Sequence, residues 1–137
     1  LGVATHCGEP FATSNLDHLG ITGDIIDRKY VTTLTDPKDD KAKSCNMVRH
    51  TAFRMGSDPS RTLFVENTAR NLPPAKQAGF QTALITWGRD FSASEGFEAA
   101  DACFDTPVKM MRTILQERGT KTVNACASDT KPALLSL

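Results

Sequence analysis

The chain predicts an α/β fold built on a mostly parallel sheet. Two observations carry that reading. Short apolar, β-prone runs alternate with helical patterns along most of the chain, and the run Arg61 to Trp87 is one complete strand–helix–strand unit. Thr62-Leu63-Phe64-Val65 reads as a buried parallel strand and Thr82-Ala83-Leu84-Ile85-Thr86 as its neighbour. Between them the helix runs from about Ala69 to Ala78, with Gly79 at the position that ends it. Pro73-Pro74 is tolerable only within a first turn, so the regular helix should begin close to Pro73, after a tight turn over Thr68 to Leu72.

The other elements follow in order. Leu1 to Thr5 is apolar and short and reads as a buried strand. Glu9 to Leu19 is helical, with Phe11, Leu16 and Leu19 on one face, and Gly20 stops it. Tyr30 to Leu34 is β-prone, either a small strand or an extended loop. The charged run around Asp36 to Ser44 enters a helix from about Asp40 to Met55, with Met47, Val48, Ala52 and Met55 inward. Ala99 to Asp105 holds the last strand. Thr106 caps a helix from Pro107 to Arg118, and Gly119 ends it. Residues 1–118 therefore read as one core domain and 119–137 as a loose tail.

Composition narrows the function classes. Lys plus Arg and Asp plus Glu both total 16, so the formal net charge is zero. That balance gives no reason to expect nucleic acid or an anionic membrane as partner. No apolar run approaches the roughly 20 residues of a membrane span. The four cysteines are scattered, without a CxxC pair or zinc-ligand spacing. They fit incidental thiols in a reducing, cytoplasmic setting. The chain opens directly on a core strand, so a further N-terminal portion is expected.

Ligands of open parallel sheets bind beyond the carboxyl ends of the strands. Glu66, Asn67 and Asn71 fall at such an end. Here the segment Phe64 to Phe80, FVENTARNLPPAKQAGF, resembles the fourth motif of the haloacid dehalogenase (HAD) superfamily of phosphohydrolases, most like its pyrimidine 5′-nucleotidase branch. The resemblance extends over residues 1 to about 118. It implies a Rossmann-like, three-layer α/β/α core with a mostly parallel sheet. It places Glu66, Asn67 and Asn71 on the metal side, with Asn67 where the family carries an aspartate. It makes Thr5, at the end of the first strand, the hydroxyl that donates to a phosphoryl oxygen. The family's lysine falls near position 42, straddled by Lys41 and Lys43, while Lys38 would need an insertion.

The activity implied is Mg²⁺-dependent hydrolysis of a phosphomonoester or nucleotide 5′-monophosphate. The family's nucleophile motif, Asp-x-Asp-x-Thr/Val after an apolar strand, does not occur in this sequence, nor does the cap that follows it. The resemblance sets that strand between the one ending at Thr5 and the one ending at Glu66. The expectation is a domain inactive alone, completed by an N-terminal portion or by strand exchange in a homo-oligomer. The second reading is a degenerate, non-catalytic relative that binds or regulates.

Overall fold

The computed structural model describes residues 1–33 and 45–123, with side chains described for all of these except 45–46 and 118–123. The elements run β1 (Val3–Thr5), α1 (Glu9–His18), β2 (Val31–Thr33), α2 (Cys45–Arg54), β3 (Leu63–Glu66), α3 (Leu72–Gln77), β4 (Gln81–Ile85), β5 (Ala102–Phe104) and α4 (Pro107–Val123), with short 3-10 turns at Arg28–Tyr30, Pro59–Arg61, Ala69–Asn71 and Phe97–Ala99. The described strands form two parallel sheets, ordered β1-β2 and β3-β4-β5.

The β3–α3–β4 unit is built as its residues demand. Pro73 and Pro74 lie in the first turn of α3, where a missing N–H removes no helical bond. The turn expected ahead of it is the 3-10 turn Ala69–Asn71. At the other end Gly79 takes φ +92°, a conformation open to glycine at little cost. That lets Gly79 N–H reach the Lys76 carbonyl at 3.0 Å and Phe80 N–H reach the Ala75 carbonyl at 3.1 Å. This is the paired closure of a Schellman motif, and the accompanying apolar contact is Phe80 with Ala75. The same closure ends α1 at Gly20 and α2 at Gly56.

Strand β4 is central to its sheet and buried from Thr82 to Ile85. Alternate side chains point to opposite faces. Ala83 and Ile85 meet Met110 of α4, with Leu63 and Phe104 beside them. Leu84 faces the other way and packs with Leu72, Ala69 and Ala99. Phe64 joins that cluster to a second one, where Val48 and Ala52 of α2 meet Ala75, Ala78 and Phe80. Helices thus pack on both faces of the three-stranded sheet.

An ionic clasp ties the β4 edge to the β5 entry. Asp101 accepts from Thr82 N–H at 2.9 Å and from the Thr82 hydroxyl at 3.1 Å, and it pairs with the Lys76 ammonium. Partial burial pushes its carboxyl pKa up. The Lys76 ammonium and the Thr82 donors outweigh that, and the group settles below its ordinary 3.8. A carboxyl whose folded-state pKa is depressed adds stability that is complete above the unfolded value and lost as pH falls through the folded one. Asp101→Asn should therefore lower the melting temperature by a few degrees at pH 7, and the gap to the parent should close as melts are taken from pH 5 down to 2.5.

Two expectations need correction. Phe11 and Leu19 do not face inward: they are 65% and 68% exposed, and α1 buries only Ala12. Leu16, the third residue of that face, is half-buried, so only part of the apolar stripe turns toward the protein. The last helix does not stop at Gly119 but continues to Val123. A glycine inside a helix costs only about 1 kcal/mol and does not end one unless the chain turns left-handed there. The inner face expected of α2 holds, with Val48 and Ala52 buried. Its expected start, residues 40–44, lies outside the described residues.

Among the described elements, helix α2 lies between β2 and β3 in the chain. It is fastened to β2 by polar contacts. The Thr51 hydroxyl lies 2.8 Å from Thr32 Oγ1, and an Arg54 guanidinium N–H donates to the Val31 carbonyl at 3.2 Å. Under α2, between the facing edges of β1 and β3, runs a slot of about 300 Å³. Val3 and Ala4 line one side and Leu63 and Val65 the other, with Ala52 and Met55 above.

Candidate functional site

Among the described residues, the carboxyl end of β3 is where sequence-predicted site residues come together. Glu66 is the last residue of the strand and is 7% exposed. Its carboxylate is held at both oxygens. Oε1 accepts from Asn71 Nδ2 at 2.9 Å, and Oε2 accepts from Asn67 N–H at 2.9 Å. Asn71 is buried as well, at 8% exposure, and ends the 3-10 turn that precedes α3. A buried carboxylate needs donors to offset lost hydration, and charge-assisted bonds supply them best. The tight turn exists because Leu72 and Ala69 anchor it on Leu84, which swings Asn71 back over the strand end. The Asn67 residue is exposed.

Thr5 ends β1 in the other sheet. Its Oγ1 accepts from Cys7 N–H at 3.2 Å, a local turn bond that leaves the hydroxyl hydrogen available to donate. Thr5 and Glu66 each directly follow the last slot-lining residue of their strand, Ala4 and Val65. His6 comes next, and its Nε2 is buried with no hydrogen-bond partner among the described residues. Lys41 and Lys43, the lysines set at the third motif, and Lys38 all lie outside the described residues.

The loop after β4 shares this end of the sheet. Trp87 takes φ +53°, a left-handed conformation uncommon for a bulky residue, and is 56% exposed. Thr86 stabilises the turn: its carbonyl accepts from Arg89 N–H at 3.0 Å, and its hydroxyl accepts from Gly88 N–H at 3.3 Å. Arg89 lies over the Phe91 ring, 5.0 Å from its centre. The sequence reading did not foresee the strained tryptophan. The Trp-Gly pair was the available signal. It also missed the clasp at Asp101, whose side chain could have been flagged by its position just before a strand.

Magnesium takes oxygen ligands in octahedral geometry, commonly one or two carboxylates with waters and phosphate oxygens. Glu66, Asn67 and Asn71 bring one carboxylate and two amides, and the Asn71 amide donates to that carboxylate. Among the described residues no group of three or more His, Cys, Asp or Glu side chains is placed to hold a metal ion. These residues therefore do not form a magnesium site by themselves. What they offer is one fixed carboxylate, an amide beside it and a hydroxyl at a neighbouring strand end. Among the described residues no helix is long and apolar enough to cross a membrane. No family model, curated protein or solved structure matches the chain.

Proposed function

We propose that residues 1–118 are a HAD-like phosphohydrolase core, three-layered and Rossmann-like, whose ancestral reaction is Mg²⁺-dependent hydrolysis of a phosphomonoester, with nucleotide 5′-monophosphates the nearest substrate class. The observation that carries this reading is the buried Glu66 held by Asn71 at the end of a parallel β3–α3–β4 unit. The segment that resembles the fourth motif supplies both residues.

In this reading the Thr5 hydroxyl donates to a phosphoryl oxygen without adding charge. Asn71 orients Glu66, so its carboxylate keeps one position while a phosphate enters. A positive group must balance the phosphate, and Lys41 or Lys43 fills that role by resemblance. The attacking carboxylate comes from elsewhere, because no Asp-x-Asp follows an apolar strand in residues 1–137. Magnesium would enter this reading only once that added carboxylate is present beside Glu66, and would supply charge neutralisation for the phosphate.

The test is complementation. The chain alone should not turn over p-nitrophenyl phosphate in magnesium buffer. Adding a synthetic apolar strand peptide that ends in Asp-x-Asp-x-Thr should give turnover that EDTA and Glu66→Gln each abolish. The Asn at position 67 favours the second reading, a non-catalytic relative, since an amide brings no charge to a divalent ion. That reading predicts amide shifts near Thr5 and Glu66 on titrating a nucleotide monophosphate, with no turnover even when the peptide is bound.

A further inference from the structure

We infer that Trp87 is a stacking platform for a planar nucleobase, carried on the loop that follows β4. The inference deepens the proposed function by naming the residue that would hold the base of a nucleotide, and it rests on that reading only for where the phosphate goes.

The loop is built against the backbone preference of its own side chain. Thr86, Trp87, Gly88 and Arg89 form a β-turn closed by Arg89 N–H to the Thr86 carbonyl at 3.0 Å. Trp87 has φ +53° and Gly88 has φ +74°. Positive φ at both central positions marks a type I′ turn, which takes Gly, Asn or Asp there because other side chains are strained. Trp87 holds the first of these positions, yet it stands largely exposed. An indole kept in a costly backbone state and then left mostly in water is not placed there by the core. Strain of this kind gathers where a ligand is met.

The turn is also held firmly. The hydroxyl of buried Thr86 accepts from Gly88 N–H at 3.3 Å, and Asp90 Oδ1 accepts from Ser92 N–H at 2.8 Å. Arg89 lies over the Phe91 ring, and Phe91 packs on the cluster of Ala69, Leu72, Leu84 and Ala99. Further along, Gly96 sits against the backbone of Ala69 and Arg70. The loop therefore shares its footing with the 3-10 turn whose Asn71 donates to Glu66. Leu84 is in register with Glu66, so Trp87 follows that level by at most about 10 Å along the strand direction.

The surroundings select a small ligand over a protein. The exposed residues that follow in the loop are Gly88, Arg89, Asp90, Ser92, Ala93 and Glu95, which extend no apolar patch from the indole. A stable protein interface takes roughly 800 Å² from each partner, far more than one indole offers. A single flat π surface suits one planar ring, and the neighbouring Arg89 suits an anionic tail on it. Every base presents such a face, so this platform favours bases as a class and does not choose among them.

The test titrates the full chain by calorimetry with adenosine 5′-monophosphate, ribose 5-phosphate and adenosine. Trp87 is the single tryptophan of the chain, so indole fluorescence follows the same titrations. The nucleotide should bind about tenfold or more tightly than ribose 5-phosphate and quench the indole saturably. Trp87→Leu, which keeps an apolar side chain without a π face, should bring the two ligands to equal affinity, and Trp87→Tyr should restore most of the preference. Equal affinities in the parent overturn the inference. So does a preference that survives Trp87→Leu, or a Trp87→Tyr variant no better than Trp87→Leu. Should Trp87→Leu fail to fold, the parent's preference and its quenching still decide. Adenosine that binds and quenches while ribose 5-phosphate does not bind upholds the platform and removes the phosphate site. Ribose 5-phosphate that binds with no gain from the base leaves the phosphate site and overturns the platform. Failure of both adenosine and its monophosphate to bind overturns it as well, and so does quenching that follows protein concentration alone, which assigns Trp87 to a second copy.

Discussion

Leu84→Ala is expected to destabilise the domain by about 2–5 kcal/mol, read as a shift in the urea midpoint at unchanged slope. Leu84 is fully buried on the central strand, with Leu72, Ala69 and Ala99 around it and Phe64, Phe91 and Phe97 partly covering the cluster. Removing its branched end forfeits the burial of several methyl and methylene groups and leaves a space its neighbours fill only in part. Two of those neighbours, Ala69 and Leu72, bracket the turn that aims Asn71 at Glu66. The same variant should therefore raise hydrogen exchange at Ala69 to Asn71 more than at Ile85, which packs on the opposite face. Equal loss at both would mean the turn draws no special support from Leu84.

Gly96→Ala is the second large effect. Gly96 has φ +84°, where any side chain is strained. A Cβ built there would also lie 2.6 Å from the Ala69 carbonyl oxygen and 3.0 Å from Arg70 Cα. Both contacts are backbone, so no side-chain rotation relieves them. Backbone strain and overpacking together should cost about 2–4 kcal/mol. Circular dichroism melts should show the drop. Gly88→Ala is the control: it shares a positive φ of +74° but meets nothing within 4 Å, so it should lose only the conformational part. If the two variants melt together, the close approach to Ala69 is not what makes Gly96 necessary.

Much of this architecture was legible from residue chemistry. The double proline announced where α3 starts, and Gly79 and Gly20 announced where two helices end. These are local signals, fixed by missing N–H groups and by left-handed backbone. The inner face of α2 was legible for a related reason, because its apolar period is matched by a partner layer on Phe64 and Phe80. The same periodicity failed on α1, where Phe11 and Leu19 point outward, since a pattern states which side chains would bury together but not whether anything covers them. The candidate site divides similarly. Glu66 and Asn71 were identified from their place after a β-prone run, and the structure joins them by a hydrogen bond. The contact of Gly96 with Ala69, the Asp101 clasp and the Trp87 conformation depend on segments far apart in the chain or on loop geometry, and no local period encodes them.

The separation of the strands into two sheets has a consequence for how the molecule opens. Strands β1 and β2 reach the rest of the protein chiefly through α2, which contacts both of them and also α3. The three-stranded sheet, by contrast, has clusters on both faces. Cooperativity is carried by contacts shared between neighbours, so a segment joined through one helix opens at lower free energy than the body it rests on. Native-state exchange should then resolve two opening units, a labile one comprising residues 1–33 and a slower one comprising 62–104.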